Sequence, residues 1–166
     1  MYFGYLIFNR SSRFGRFGSI YILDDPIGDA NSMQNGYGNQ AQEYKKQQVE
    51  TASPERILIM LFEGAIRFLR IARKAMEEGN LEKSNKYLLK TQAILTELMS
   101  SLDMESGEEI AQNLFRLYEY YHYRLVQANI KKDISMIDEV LDHLRKFKDT
   151  WEEAIQIANA EKAQSQ

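Results

Sequence analysis

Helix breakers are distributed so unevenly along this 166-residue chain that they divide it into two unlike parts. Six of the nine glycines (Gly4, Gly15, Gly18, Gly28, Gly36 and Gly38) and one of the two prolines, Pro26, fall within the first 38 residues. Everything after that holds only Gly64, Gly79, Gly107 and Pro54. Glycine inside a helix costs about 1 kcal/mol relative to alanine, so the body of the chain is free to be helical almost throughout and the head is not.

The remaining breakers sit beside helix-end chemistry. Ser53-Pro54 offers a capping hydroxyl followed by proline at the first helical position, where its missing N–H costs nothing. Gly79-Asn80 stops one helix and caps the next. Ser106 and Glu109 have the spacing of a capping box. Lys131-Lys132-Asp133 puts cations at one C-terminus and a carboxylate at the following start. These marks predict helices over about 54–78, 81–103, 107–131 and 134–160, with a shorter one near 40–50. Connections of about two to five residues make neighbours antiparallel. The predicted fold is all-α: an antiparallel up-down helical bundle of four long helices plus a short N-terminal helix. The bundle domain is expected over 40–160, after an irregular, disordered extension over 1–39 and before a flexible tail over 161–166.

The head mixes Tyr2, Phe3, Tyr5, Phe8, Phe14 and Phe17 with Arg10, Arg13 and Arg16, and ends in the acidic turn Asp24-Asp25-Pro26. A secretory signal carries positive charge first and then an unbroken apolar run of about 7–15 residues. Here the order is reversed and the run is short. Met33 is the expected functional start, with residues 1–32 as upstream sequence.

Advancing 100° per residue shows what each helix buries. On the last one Ile137, Val140, Leu141, Leu144, Phe147, Trp151, Ala154, Ile155 and Ala158 share a face, with Asp138, Asp142, Arg145, Asp149 and Glu152 opposite. Helix 81–103 gathers Tyr87, Leu88, Ile94, Leu95, Leu98, Met99 and Leu102. The other two are wider. On helix 54–78 the apolar residues cover roughly 200°, twice the ~100° stripe of one-sided packing, leaving Glu63, Arg67, Arg70 and Lys74 as the polar strip. Helix 107–131 carries a core seam of Ile110, Leu114, Leu117, Tyr121 and Leu125, and beside it a second stripe of Ala111, Phe115, Tyr118, His122 and Val126. Two bundle neighbours explain this width, and so does a groove left open for a partner helix. The short leader, with Tyr44 and Val49 among Gln, Lys and Glu, is too short and polar to stand alone. It is suited to lie in such a groove as a displaceable cover.

Several chemistries are excluded by what is missing. The chain has no cysteine, hence no disulfide, thiolate nucleophile, zinc finger or iron–sulfur ligation. Its net charge of −3 lacks the basic excess with which nucleic-acid binders neutralise phosphates. No apolar run approaches the ~20 residues of a membrane helix. A di-iron centre in a bundle needs Glu-x-x-His on two helices plus inward carboxylates from the others. Glu119-Tyr120-Tyr121-His122 matches once, but His143 has Val140 three residues before it, and Glu63 lies on the polar strip. No serine stands in a Gly-x-Ser-x-Gly turn and no phosphate loop occurs. Tyr118 and Tyr121 are expected in core or groove, Tyr120 and Tyr123 at the surface. No enzyme activity, cofactor or metal is expected; the alternatives are a ferritin-like di-iron protein, resting on that single Glu-x-x-His, and a helical scaffold or regulator.

Thr51-Ala52-Ser53-Pro54-Glu55, followed by Met60-Leu61-Phe62-Glu63-Gly64-Ala65-Ile66, resembles the opening of the FliS family of flagellar export chaperones. Leu117-Tyr118-Glu119-Tyr120, Ala128-Asn129-Ile130 and Trp151-Glu152-Glu153-Ala154 extend the resemblance from about Tyr37 to Ala158. Phe62 departs from it, since the family more often has tyrosine there. The resemblance implies a cytosolic, non-enzymatic chaperone that holds the C-terminal segment of flagellin, disordered when free. Such a chaperone prevents premature polymerisation and presents flagellin to the flagellar type III export apparatus. Nucleic-acid binding and membrane insertion are not expected, and the oligomeric state expected is a monomer or weak dimer. The client contacts expected are Tyr44, Val49, Leu58, Phe62, Ile66, Leu69, Phe115, Tyr118 and His122.

Overall fold

A computed structural model describes residues 47–48 and 51–164. Among these the chain forms four α-helices and no strand: α1 (Pro54–Glu77), α2 (Leu81–Ser100), α3 (Glu108–Lys131) and α4 (Ile134–Gln164). Of the expected leader helix, Gln47 and Gln48 are helical, and Gln47 O accepts from both the N–H and the hydroxyl of Thr51. The rest of the leader, Tyr44 and Val49 included, lies outside the described residues, as do the extension over 1–39 and the start expected at Met33.

Two helix starts form as their sequence dictates. The Ser53 hydroxyl accepts from the Arg56 N–H at 3.3 Å, with Pro54 next to it. Asn80 Oδ1 accepts from the Lys83 N–H at 3.0 Å. Between them α1 closes with paired reversed bonds, Gly79 N–H to Met76 O and Asn80 N–H to Ala75 O, which need Gly79 at φ +75°.

The capping box does not form. Gly107 caps α3 without any side-chain bond, and Glu108 enters the helix at φ +43°. That turn takes Ser106 away from the first helical amides. Asp103 Oδ1 instead accepts from the N–H groups of Glu105 and Ser106. Helix α2 accordingly ends at Ser100 rather than 103, and α4 runs on to Gln164 rather than 160.

Helix α1 packs against α2 and α4, and α3 packs against the same two, so the four close into a ring around one core. The pairs are antiparallel. Arg73 near the end of α1 meets Asp138 near the start of α4 at 2.6 Å, and Asn129 near the end of α3 donates to Asn85 near the start of α2 at 2.6 Å. An aromatic cluster joins three helices: Phe147 of α4 packs edge-on against Phe62 of α1 and Tyr118 of α3, and Trp151 packs edge-on against Phe147.

Candidate functional site: apolar and basic seams of the bundle

The width of α1 goes to its two neighbours. Leu58, Phe62, Ile66 and Leu69 are buried, together with Leu61, Phe68 and Ala72 on the side toward α2. The seam expected on α3 is rotated: Ile110 is exposed and Leu117 half-buried, whereas Ala111 and Tyr118 from the second stripe join Leu114, Tyr121 and Leu125 in the core. Tyr118 is turned inward against Phe62 of α1 and Phe147 of α4, while α2 packs alongside α3 at the Asn85–Asn129 contact. Leu58, Phe62, Leu69 and Tyr118 are therefore out of a partner's reach while the bundle is closed. Ile66 forms the floor of a surface cleft.

The remaining part of the second stripe stays at the surface. Phe115 is 36 % exposed, and His122 and Val126 are half-buried. Because α2 runs antiparallel to α3 and both rise 1.5 Å per residue, the Asn85–Asn129 contact sets Leu89 level with Leu125, next to Val126, Gln92 level with His122 and Met99 level with Phe115. Leu89 is 52 % exposed and Met99 half-buried. An apolar stripe thus follows the α2–α3 seam, interrupted by the polar groups of Gln92 and His122. Leu89 was missed in the sequence because it stands alone off the buried face of α2. That isolation was itself the available signal.

The other seam of α3, toward α4, is closed by charge. Glu139 accepts from the Tyr120 hydroxyl and pairs with Arg124. The Tyr120 hydrogen bond, then the Arg124 one, holds the Glu139 carboxyl below its ordinary range. Glu97, half-buried on α2, is shifted the opposite way by desolvation. Neither arrangement builds an inward-facing metal centre, since Glu63 and Glu119 are exposed. Among the described residues no group of three or more acidic or histidine side chains is placed to hold a metal.

Opposite the apolar stripe, the α1–α4 seam opens into a cleft of about 450 Å³ lined by Glu63, Ile66, Arg67, Arg70, Arg145, Lys148 and Asp149.

The family profile described as "Flagellar protein FliS" matches residues 37–158. The chain belongs to the FliS family. It is 38 % identical over 113 residues to the flagellar secretion chaperone FliS of Bacillus subtilis, covering 68 % of this chain and 84 % of that one. The Vibrio cholerae FliS is 39 % identical over 116 residues, with coverage of 68 % and 85 %. The Campylobacter jejuni FliS is 32 % identical over 121 residues, with coverage of 73 % and 93 %. FliS is a family of chaperones and not of enzymes. Among the described residues of this member no helix is long and apolar enough to cross a membrane.

Proposed function

We propose that this FliS-family chain is a cytosolic flagellar secretion chaperone. On this reading it binds the C-terminal segment of flagellin, keeps it from polymerising early and hands it to the flagellar export apparatus. Its relatives are named as flagellar secretion chaperones. The observation that carries the reading to a surface is the apolar stripe of Leu89, Met99, Phe115 and Val126 along the α2–α3 seam. An amphipathic client segment lays its apolar face into such a seam, with anchors at helical spacing. A client that orders on binding gives up roughly 2–5 kcal/mol, which burial of about 1,000–3,000 Å² offsets. Release then needs no nucleotide.

Phe115 and His122 are the expected contacts that stand ready at this surface. Tyr44 and Val49 belong to the leader proposed as a cover displaced by the client. Leu58, Phe62, Leu69 and Tyr118 are covered in the closed bundle and Ile66 lies at the floor of the α1–α4 cleft, so the client is held at Phe115 and His122 without them.

The test is calorimetric titration of the full chain with a peptide spanning about the last 40 residues of the host's flagellin. Saturable one-to-one binding with a negative heat-capacity change is expected. Phe115→Asp and Leu89→Asp should each weaken it at least about tenfold, which is about 1.4 kcal/mol, with helicity retained. No heat at several temperatures from folded protein would overturn the reading.

A further inference from the structure

The α1–α4 cleft carries a charge opposite to that of the chain around it. Four cations (Arg67, Arg70, Arg145, Lys148) and two carboxylates (Glu63, Asp149) line it, a balance of +2 in a chain whose net charge is −3. Its cations are unequally occupied. Arg67 lies over the Phe68 ring, and Lys148 is paired with Glu152 at 2.8 Å and with Asp149 at 3.6 Å. Arg145 pairs with Asp142 at 3.3 Å, and its side chain is 42 % exposed. Arg70 is exposed and makes no ion pair among the described residues. Ile66, 6 % exposed, is the apolar floor between them.

An exposed guanidinium takes a carboxylate or phosphate best, since two parallel N–H···O bonds match its planar fork. The rim decides between these anions. A nucleic acid bears a charge on every backbone unit and would bring some of them against Glu63 and Asp149. A peptide can place carboxylates at Arg70 and Arg145, turn amide donors toward Glu63 and Asp149, and set an apolar side chain over Ile66. We propose that this cleft is a second docking site, for an acidic peptide segment of a partner protein. In the closed ring of helices it lies diametrically opposite the α2–α3 stripe, so both faces can be occupied at once. The proposal does not rest on the client reading.

The experiment is fluorescence anisotropy of the full chain with a labelled peptide of about ten residues alternating glutamate and glycine around one central leucine. Saturable one-to-one binding is expected, weakening as salt is raised. Arg70→Glu, at an exposed position, should reduce affinity at least about tenfold, and Arg145→Gln should reduce it by removing the charge and the guanidinium fork while leaving a polar side chain. Arg116→Glu on α3 should leave it unchanged, and flagellin-peptide binding by Arg70→Glu should equal that of the parent chain. Three outcomes would each overturn the proposal: equal binding of the glutamine version of the peptide, undiminished binding by Arg70→Glu, or displacement of the peptide by an equally long single-stranded oligonucleotide at equal concentration.

Discussion

Tyr118 sits at the centre of the aromatic cluster with no exposed surface, and its hydroxyl has no hydrogen-bond partner. Burial pushes its phenol well above the ordinary range, while Tyr121 is pushed up to about 12, again chiefly by burial. Neither ring is charged at physiological pH. An unbonded buried hydroxyl costs roughly 1–3 kcal/mol, whereas the ring packs against Phe62 and Phe147. Tyr118→Phe should therefore leave stability unchanged or raise it by about 1 kcal/mol, read as the urea midpoint of unfolding. A fall of about 1 kcal/mol or more would mean that the hydroxyl is bonded after all. Sequence placed Tyr118 in core or groove and could not say which, because the face it occupies on α3 suits either. Only the packing of Phe62 from α1 and Phe147 from α4 around the ring resolves it.

At the scale of the helix, ends were more legible than middles, for a physical reason. Ser53 and Asn80 cap through contacts to amides within three residues, so local spacing suffices to find them. Ser106 has the same spacing, but the bend at Glu108 and the competing Asp103 carboxylate take its place. The two left-handed C-terminal residues behave oppositely. Gly79 adopts φ +75° without strain, and a methyl group there would meet nothing within 4 Å, so Gly79→Ala tests the backbone conformation alone. It should cost about 1 kcal/mol. Lys132 adopts φ +57° with a side chain, and Lys132→Gly should gain about 0.5–1 kcal/mol, or on the order of 1–4 °C in thermal midpoint. Differential scanning calorimetry of the pair checks both signs, and a stabilised Gly79→Ala would refute the account of α1's closure.

For the whole molecule, the four seams divide by chemistry: apolar and open at α2–α3, bridged by Glu139 at α3–α4, basic and open at α1–α4, and covered at α1–α2 by cations over rings, with Lys90 above Phe68 and Tyr87. Carboxylates also give the bundle a pH dependence. Asp133 is held below its ordinary value by the Ser135 hydroxyl and N–H, Asp103 by the Ser106 N–H, and Glu139 by Tyr120 and Arg124. Each depressed group contributes stability that is complete above its unfolded value, 3.8 for aspartate and 4.5 for glutamate, and is lost as pH falls through the lower folded value. Glu97, raised by burial, has the opposite sign, because its protonation on acidification relieves the cost of a desolvated charge. The urea midpoint should fall between about pH 5 and about pH 3, and Asp133→Asn should make that fall shallower. A midpoint independent of pH across this window would show that these bonds do not persist in solution.

Sequence by itself determined the class of fold, the number and order of the long helices, most of their ends and the family. Each of these rests on interactions within about one helical turn or on residue types in order along the chain. Tertiary structure alone decided which apolar stripes remain available. A stripe on α1 and a stripe on α3 look alike on a helical wheel, yet α2 and α4 bury Phe62 and Leu69 while Phe115 keeps 36 % of its surface. The same holds for charge. Arg70 and Arg145 are 75 positions apart, and only the antiparallel packing of α1 on α4 brings them to one cleft.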